Sequence, residues 1–174
     1  AFANQELMVQ LVAAHIPPGV CIYIKEHPAQ GELFRSEAFY RSIRELPCVR
    51  FVPRSADSLR LIHNAKAIAT ITGTAGFEAI FRGKPVLMFG HRFCQYAPGT
   101  YMIRSTADCR NAMERIFQKG ETQSPREVRL FLKAIEETTV PFEGGQLRPD
   151  QASREERARV MGEMVSRILE PLFR

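Results

Sequence analysis

"AIATITGTAGFEAIFRGKPVLMFG", residues 67–90, decides the fold. Ala67–Ile71 is a run of small and β-branched residues, the composition of a short buried strand. Thr72-Gly73-Thr74-Ala75-Gly76 follows, a turn with two hydroxyls and two glycines. The spacing predicts a helix over 75–81, then Gly83-Lys84-Pro85 leads into a second apolar run, Val86–Phe89. Strand, glycine-bearing turn, helix and strand make a βαβ unit, whose two strands run parallel.

The same alternation extends in both directions. Val20–Ile24 reads as a strand buried on both faces, Val49–Val52 as another and Thr100–Ile103 as a short last one. Helices are expected over 3–15, ended by Pro17, Pro18 and Gly19, and over 36–45 and 56–65. Three more close the chain. They cover 106–118, a segment beginning at Pro125 behind the capping box Ser124–Glu127, and 153–169 behind a second box, Ser153–Glu156. Val140–Pro149, rich in Gly and Pro, reads as a connection or hinge. The expected fold class is therefore α/β: a Rossmann-like parallel sheet of about five strands with helices on both faces and extra C-terminal helices. Residues 1–140 form the expected Rossmann-like domain. Residues 141–174 form the connection and a helix packing on or beyond it. The first element is a helix with no strand before it, so an N-terminal portion is expected to be absent from this chain.

Bulk properties agree with a folded domain. The chain has 174 residues, 45% of them hydrophobic, enough for a core. Its net charge of +5 permits an anionic ligand without demanding nucleic acid. No window reaches the length of a transmembrane helix. Cys21, Cys48, Cys94 and Cys109 are scattered with no CxxC pair and read as reduced thiols of a cytosolic protein.

Ligands of such sheets bind beyond the carboxyl ends of the strands. Three polar clusters fall there and are expected to converge: Lys25-Glu26-His27-Pro28, Pro53–Ser58 and Thr72–Gly76. Thr72–Gly76 can hold a phosphate on free N–H groups and the Thr74 hydroxyl, with Gly73 and Gly76 permitting close approach. A capped tight turn explains the same residues equally well. Walker A fails at Glu78 and Pro85, GxGxxG is absent, and a nucleophile elbow fails at Thr72. Glu78 suits a ribose or a solvated first turn. His27 can donate to a phosphate, with Lys25 beside it and Pro28 fixing the turn. Arg54, Ser55 and Ser58 form a donor cluster or a helix cap. His91, Arg92, Gln95 and Tyr96 follow a strand on the crevice side, whereas Lys84 lies at the wrong end and reads as scaffold. No metal-ligand spacing stands out, since His91 and Cys94 alone are not a site.

In order, "KEHP", "SADSLRLIHNAKAIATITGTAGFEAIFRGKPVLMFG" and the "PGT" beyond it resemble the capsule polysaccharide biosynthesis and export family, over roughly residues 20–104. That family includes bacterial Kdo transferases and is similar to GT-B glycosyltransferases. The resemblance implies that this chain is the C-terminal, donor-nucleotide half of such an enzyme. His27 would be catalytic at the donor phosphate. On the resemblance His27, Pro28, Thr72, Thr74 and Glu78 would bind the nucleotide sugar, CMP- or UDP-linked, with no cofactor and no metal, and Lys25, Ser55, Gly73 and Gly76 join them by their place at the strand ends. Thr72-Gly73-Thr74 departs from the adjacent Ser/Thr pair of many relatives, which leaves open which hydroxyl makes the contact. The partners implied are a glycolipid or oligosaccharide acceptor and an N-terminal GT-B domain that supplies the base. Nucleic acid is not expected. The expected location is the cytoplasm, including the inner face of the bacterial inner membrane through peripheral association. Two other functions stay open on the sequence: an epimerase or polyol-phosphate transferase of GT-B-like fold, and a non-catalytic basic binding domain.

Overall fold

A computed structural model describes residues 4–27, 35–139 and 154–169. Pro28, the 140–149 connection and Ser153 lie outside the described residues. Among the described residues there are five strands and seven α-helices, alternating from the first helix to the fourth strand. They are α1 (Gln5–His15), β1 (Ile22–Ile24), α2 (Glu37–Arg44), β2 (Val49–Phe51), α3 (Ser58–Asn64), β3 (Ile68–Thr70), α4 (Thr74–Ile80), β4 (Val86–Met88), β5 (Thr100–Met102), α5 (Thr106–Met113), α6 (Pro125–Thr138) and α7 (Arg154–Leu169). Side-chain caps fix several starts. Asn4 accepts from Glu6 and Leu7, Ser36 from Phe39, and Asp57 from Leu59 and Arg60. The Ser124–Glu127 capping box forms as expected, and Ser105–Asp108 forms another. The helix expected over 106–118 ends in a wider π-helical turn, Glu114–Gln118.

All strand pairs are parallel, as the βαβ pattern requires. Their hydrogen bonds form two ladders: β1 with β2, and β3, β4 and β5 with β4 in the middle. Each strand contributes only three residues. The central strand carries the expected two-sided burial, with Val86, Leu87 and Met88 all buried. β1 does not. Ile22 and Ile24 face the core, but Tyr23 is 63% exposed and its register partner Arg50 is exposed too. α3, which follows β2, packs against α4.

One apolar cluster unites Val12 of α1, Leu87 and Phe89 at β4, Ile103, and Cys109, Ala112, Met113 and Ile116 at and beyond α5. Ile22 and Ile71 pack on it, so both ladders share a core. A second cluster, Val9, Ile43 and Val49, joins α1, α2 and β2. Fully burying a side chain such as Phe89 or Ile43 stabilises by about 1.5–3 kcal/mol. By compactness the chain divides into residues 1–129 and 130–174. In the second, α7 carries an Arg159–Glu163 pair one turn apart on an exposed face.

Candidate functional site

The β3–α4 turn is built by Thr70. Its Oγ1 accepts the Gly73 N–H at 3.0 Å, folding the chain back from the strand end. A Cβ on Gly73 would lie 2.9 Å from that oxygen, so this turn needs glycine. α4 then begins at Thr74, and no side chain caps its N-terminus. The Thr74 hydroxyl is thus not spent on capping. Thr72, Gly73 and Thr74 are exposed, and Glu78 is half-buried one turn into the helix. Gly76 has a different place. It is buried, and a Cβ there would meet Thr70 Cγ2 at 3.0 Å and Val86 Cγ1 at 3.3 Å. It brings α4 close to β3 and β4.

A second cluster stands at the ends of β1 and β2. Glu26, two residues past β1, accepts from the Tyr40 hydroxyl at 2.7 Å, Arg35 Nη1 at 2.7 Å and Arg54 Nε at 3.2 Å. Its side chain is only 12% exposed. Burial pushes the carboxyl up, but the Tyr40 hydroxyl and the Arg54 and Arg35 guanidiniums outweigh it and hold Glu26 below the ordinary glutamate range. The same carboxylate raises the Tyr40 phenol. Lys25 Nζ donates to the Glu26 carbonyl at 3.4 Å, and His27 is exposed beside it. Ser55 is exposed, and Asp57, not Ser55 or Ser58, caps α3.

Beyond β4, a 3-10 turn, Phe93–Tyr96, carries His91 Nδ1 within 3.0 Å of Gln95 Oε1. Phe77 of α4 makes edge contacts with Phe81 and Phe93, at 4.6 and 4.9 Å between centroids. Lys84 lies at the opposite edge. Its carbonyl accepts from Gln123 Nε2 at 3.0 Å, in keeping with a scaffold role. Two shallow concavities, of about 260 and 370 Å³, line α2 and the α1–β1 connection, and neither includes a candidate strand-end residue.

Lys25 and His27 thus stand on the first ladder, with Ser55 at the end of its second strand. Thr72, Gly73, Thr74 and Glu78 stand at the end of β3 on the other ladder. The sequence reading gave no role to Glu26, Tyr40 or Arg35. A signal existed: Glu26 and Arg54 lie two and three residues beyond strands in register, Ile24 opposite Phe51. Thr70 carried no signal, since its hydroxyl looks like any other in a β-branched strand.

No helix among the described residues is long and apolar enough to cross a membrane. No curated protein and no solved structure matches the chain. One family model does, that of capsule polysaccharide biosynthesis proteins, over residues 2–111, a span holding both clusters and all five strands. On that match, over more than half its length, this chain belongs to the capsule polysaccharide biosynthesis protein family.

Proposed function

We propose that this chain is the donor-nucleotide-binding part of a GT-B-like sugar transferase acting in capsule synthesis, with a CMP- or UDP-linked sugar, CMP-Kdo among them, as donor. The observation that carries this is the β3–α4 turn: the exposed residues Thr72, Gly73 and Thr74 at a helix start that no side chain caps, with Glu78 one turn on. Such a turn suits phosphate oxygens, and the half-buried carboxylate suits two ribose hydroxyls. The exposed His27 adds a donor at the carboxyl edge of the first ladder.

The proposed transfer is inverting and metal-independent. An acceptor hydroxyl attacks the anomeric carbon, the bond from that carbon to the phosphate oxygen breaks, and the nucleotide leaves with the electron pair. The acceptor's proton goes to a base outside this chain, so the chain alone binds without turnover. Donors fixed around the leaving phosphate, His27, Thr74 and the turn N–H groups, stabilise the charge that develops there. Calorimetry with CMP, CDP and UDP tests the proposal. Binding of one of them, weakened by Thr72→Val or Thr74→Val, is expected, and the more damaging substitution identifies the hydroxyl in contact. Absence of binding by all three overturns it.

A further inference from the structure

Glu26 gathers more positive charge than it neutralises. Arg35 and Arg54 both hold the single Glu26 carboxylate, leaving a net charge of +1 from these three side chains at the carboxyl edge of the first ladder, while Lys25 Nζ reaches the Glu26 backbone carbonyl. A buried ion network kept only for stability gains little over apolar packing and gains least when its charges do not cancel. The two guanidiniums also differ. Arg35 is 14% exposed and committed to the scaffold: it bonds Glu26 and Gln5 of α1, and its guanidinium lies 4.7 Å from the Phe39 ring centre. Arg54 is 36% exposed and holds Glu26 through Nε alone, with the Tyr40 hydroxyl as its other neighbour. Its guanidinium keeps N–H groups for a further acceptor.

We infer that Arg54 is an anion-contacting residue of the nucleotide site and that Glu26, with Tyr40, is its positioning residue. This rests on the nucleotide-binding function proposed above and adds to it a second phosphate contact, on the ladder of β1 and β2. A guanidinium suits the task because its fork can donate to Glu26 along one side and to a phosphate oxygen along another. A lysine has a single ammonium and cannot hold both partners in fixed geometry. Glu26 fixes the fork against rotation, so less order is lost when the anion arrives.

The test is calorimetry of the whole chain with inorganic pyrophosphate and with CMP, on wild type, Arg54→Gln, Arg54→Lys and Glu26→Gln. Thermal unfolding of each variant confirms that it is folded. Arg54→Gln is expected to weaken both ligands about tenfold, the usual scale for one charge-assisted hydrogen bond. Arg54→Lys, which keeps the charge, should restore only part of that. Glu26→Gln discriminates most sharply. Removing a negative charge strengthens anion binding if Glu26 merely neutralises its neighbours, whereas loss of the positioning partner weakens it. Weaker pyrophosphate binding by folded Glu26→Gln supports the inference, and tighter binding overturns the positioning role. Should that variant fail to fold, Tyr40→Phe, which keeps all charges, replaces it and must weaken binding. Wild-type CMP binding that Arg54→Gln leaves unchanged overturns the inference while the nucleotide function stands. Pyrophosphate binding that needs Arg54, with no binding of CMP, CDP or UDP, supports the anion contact and overturns the nucleotide. Binding of none of these ligands overturns both.

Discussion

Replacing Gly76 by alanine separates packing from ligand approach at the β3–α4 turn. Alanine inside a helix is favoured over glycine by about 0.5–1 kcal/mol, so an open site would be stabilised. Gly76 is not open. The new methyl would sit 3.0 Å from Thr70 Cγ2, 3.3 Å from Val86 Cγ1 and 3.6 Å from Met88 Cε. Met88 can yield, being unbranched. Thr70 cannot rotate without giving up its bond to the Gly73 N–H, and Val86 is fully buried in the central strand. Overpacking of this kind costs about 1–3 kcal/mol. The net result is a loss of about 1 kcal/mol, which lowers the melting temperature by roughly 2–4 °C in a chain of this length. Calorimetric unfolding at pH 7 measures the shift, and titration with CMP measures affinity in the folded variant. Stability should fall with affinity unchanged. A melting temperature that stays level or rises would refute the packing role, and affinity lost at full stability would put Gly76 against the ligand instead.

Gly99 has φ +76, and a Cβ there would strike the Gln123 side chain, which is buried and tied to the Ile80 and Lys84 carbonyls. Gly99→Ala should cost about 2 kcal/mol or more in urea unfolding, while Gly120→Ala, left-handed but in open space, should cost only the backbone strain of about 1–2 kcal/mol. Glu26 and Asp108 both have depressed carboxyls, Asp108 through the Arg104 N–H and the Ser105 hydroxyl. A depressed group contributes stability that is full above its unfolded value and lost as pH falls through its folded value. Unfolding free energy should therefore decline between about pH 5 and pH 2, and Glu26→Gln should flatten that decline. An equal slope in the variant would deny Glu26 its share.

The alternation of apolar runs with helical segments was enough to locate all five strands and their parallel sense, because β-branched runs, prolines and glycines mark them directly. Caps written in one local motif, such as Ser124–Glu127, were equally legible. Tyr23 was not. Its exposure is a matter of tertiary packing, which no residue of β1 records. The 3-10 turn at Phe93–Tyr96 has no hydrophobic period to announce it. At the candidate site, the turn from Thr72 to Thr74 and the helix start before Glu78 were readable because glycine punctuates the turn. Gly76 was readable only as a glycine, since β4 supplies what it packs against. Glu26 was hidden because its partners, Arg35, Tyr40 and Arg54, come from three other segments and meet only when β1 and β2 pair.

The most direct measurement is the titration of isotope-labelled chain with CMP and UDP, followed by amide resonances. Nucleotide binding at the β3–α4 turn predicts the largest shifts at Gly73, Thr74 and Ala75, with smaller ones at Lys25–His27 and Arg54. Shifts confined to other segments, or none with either nucleotide, would contradict it.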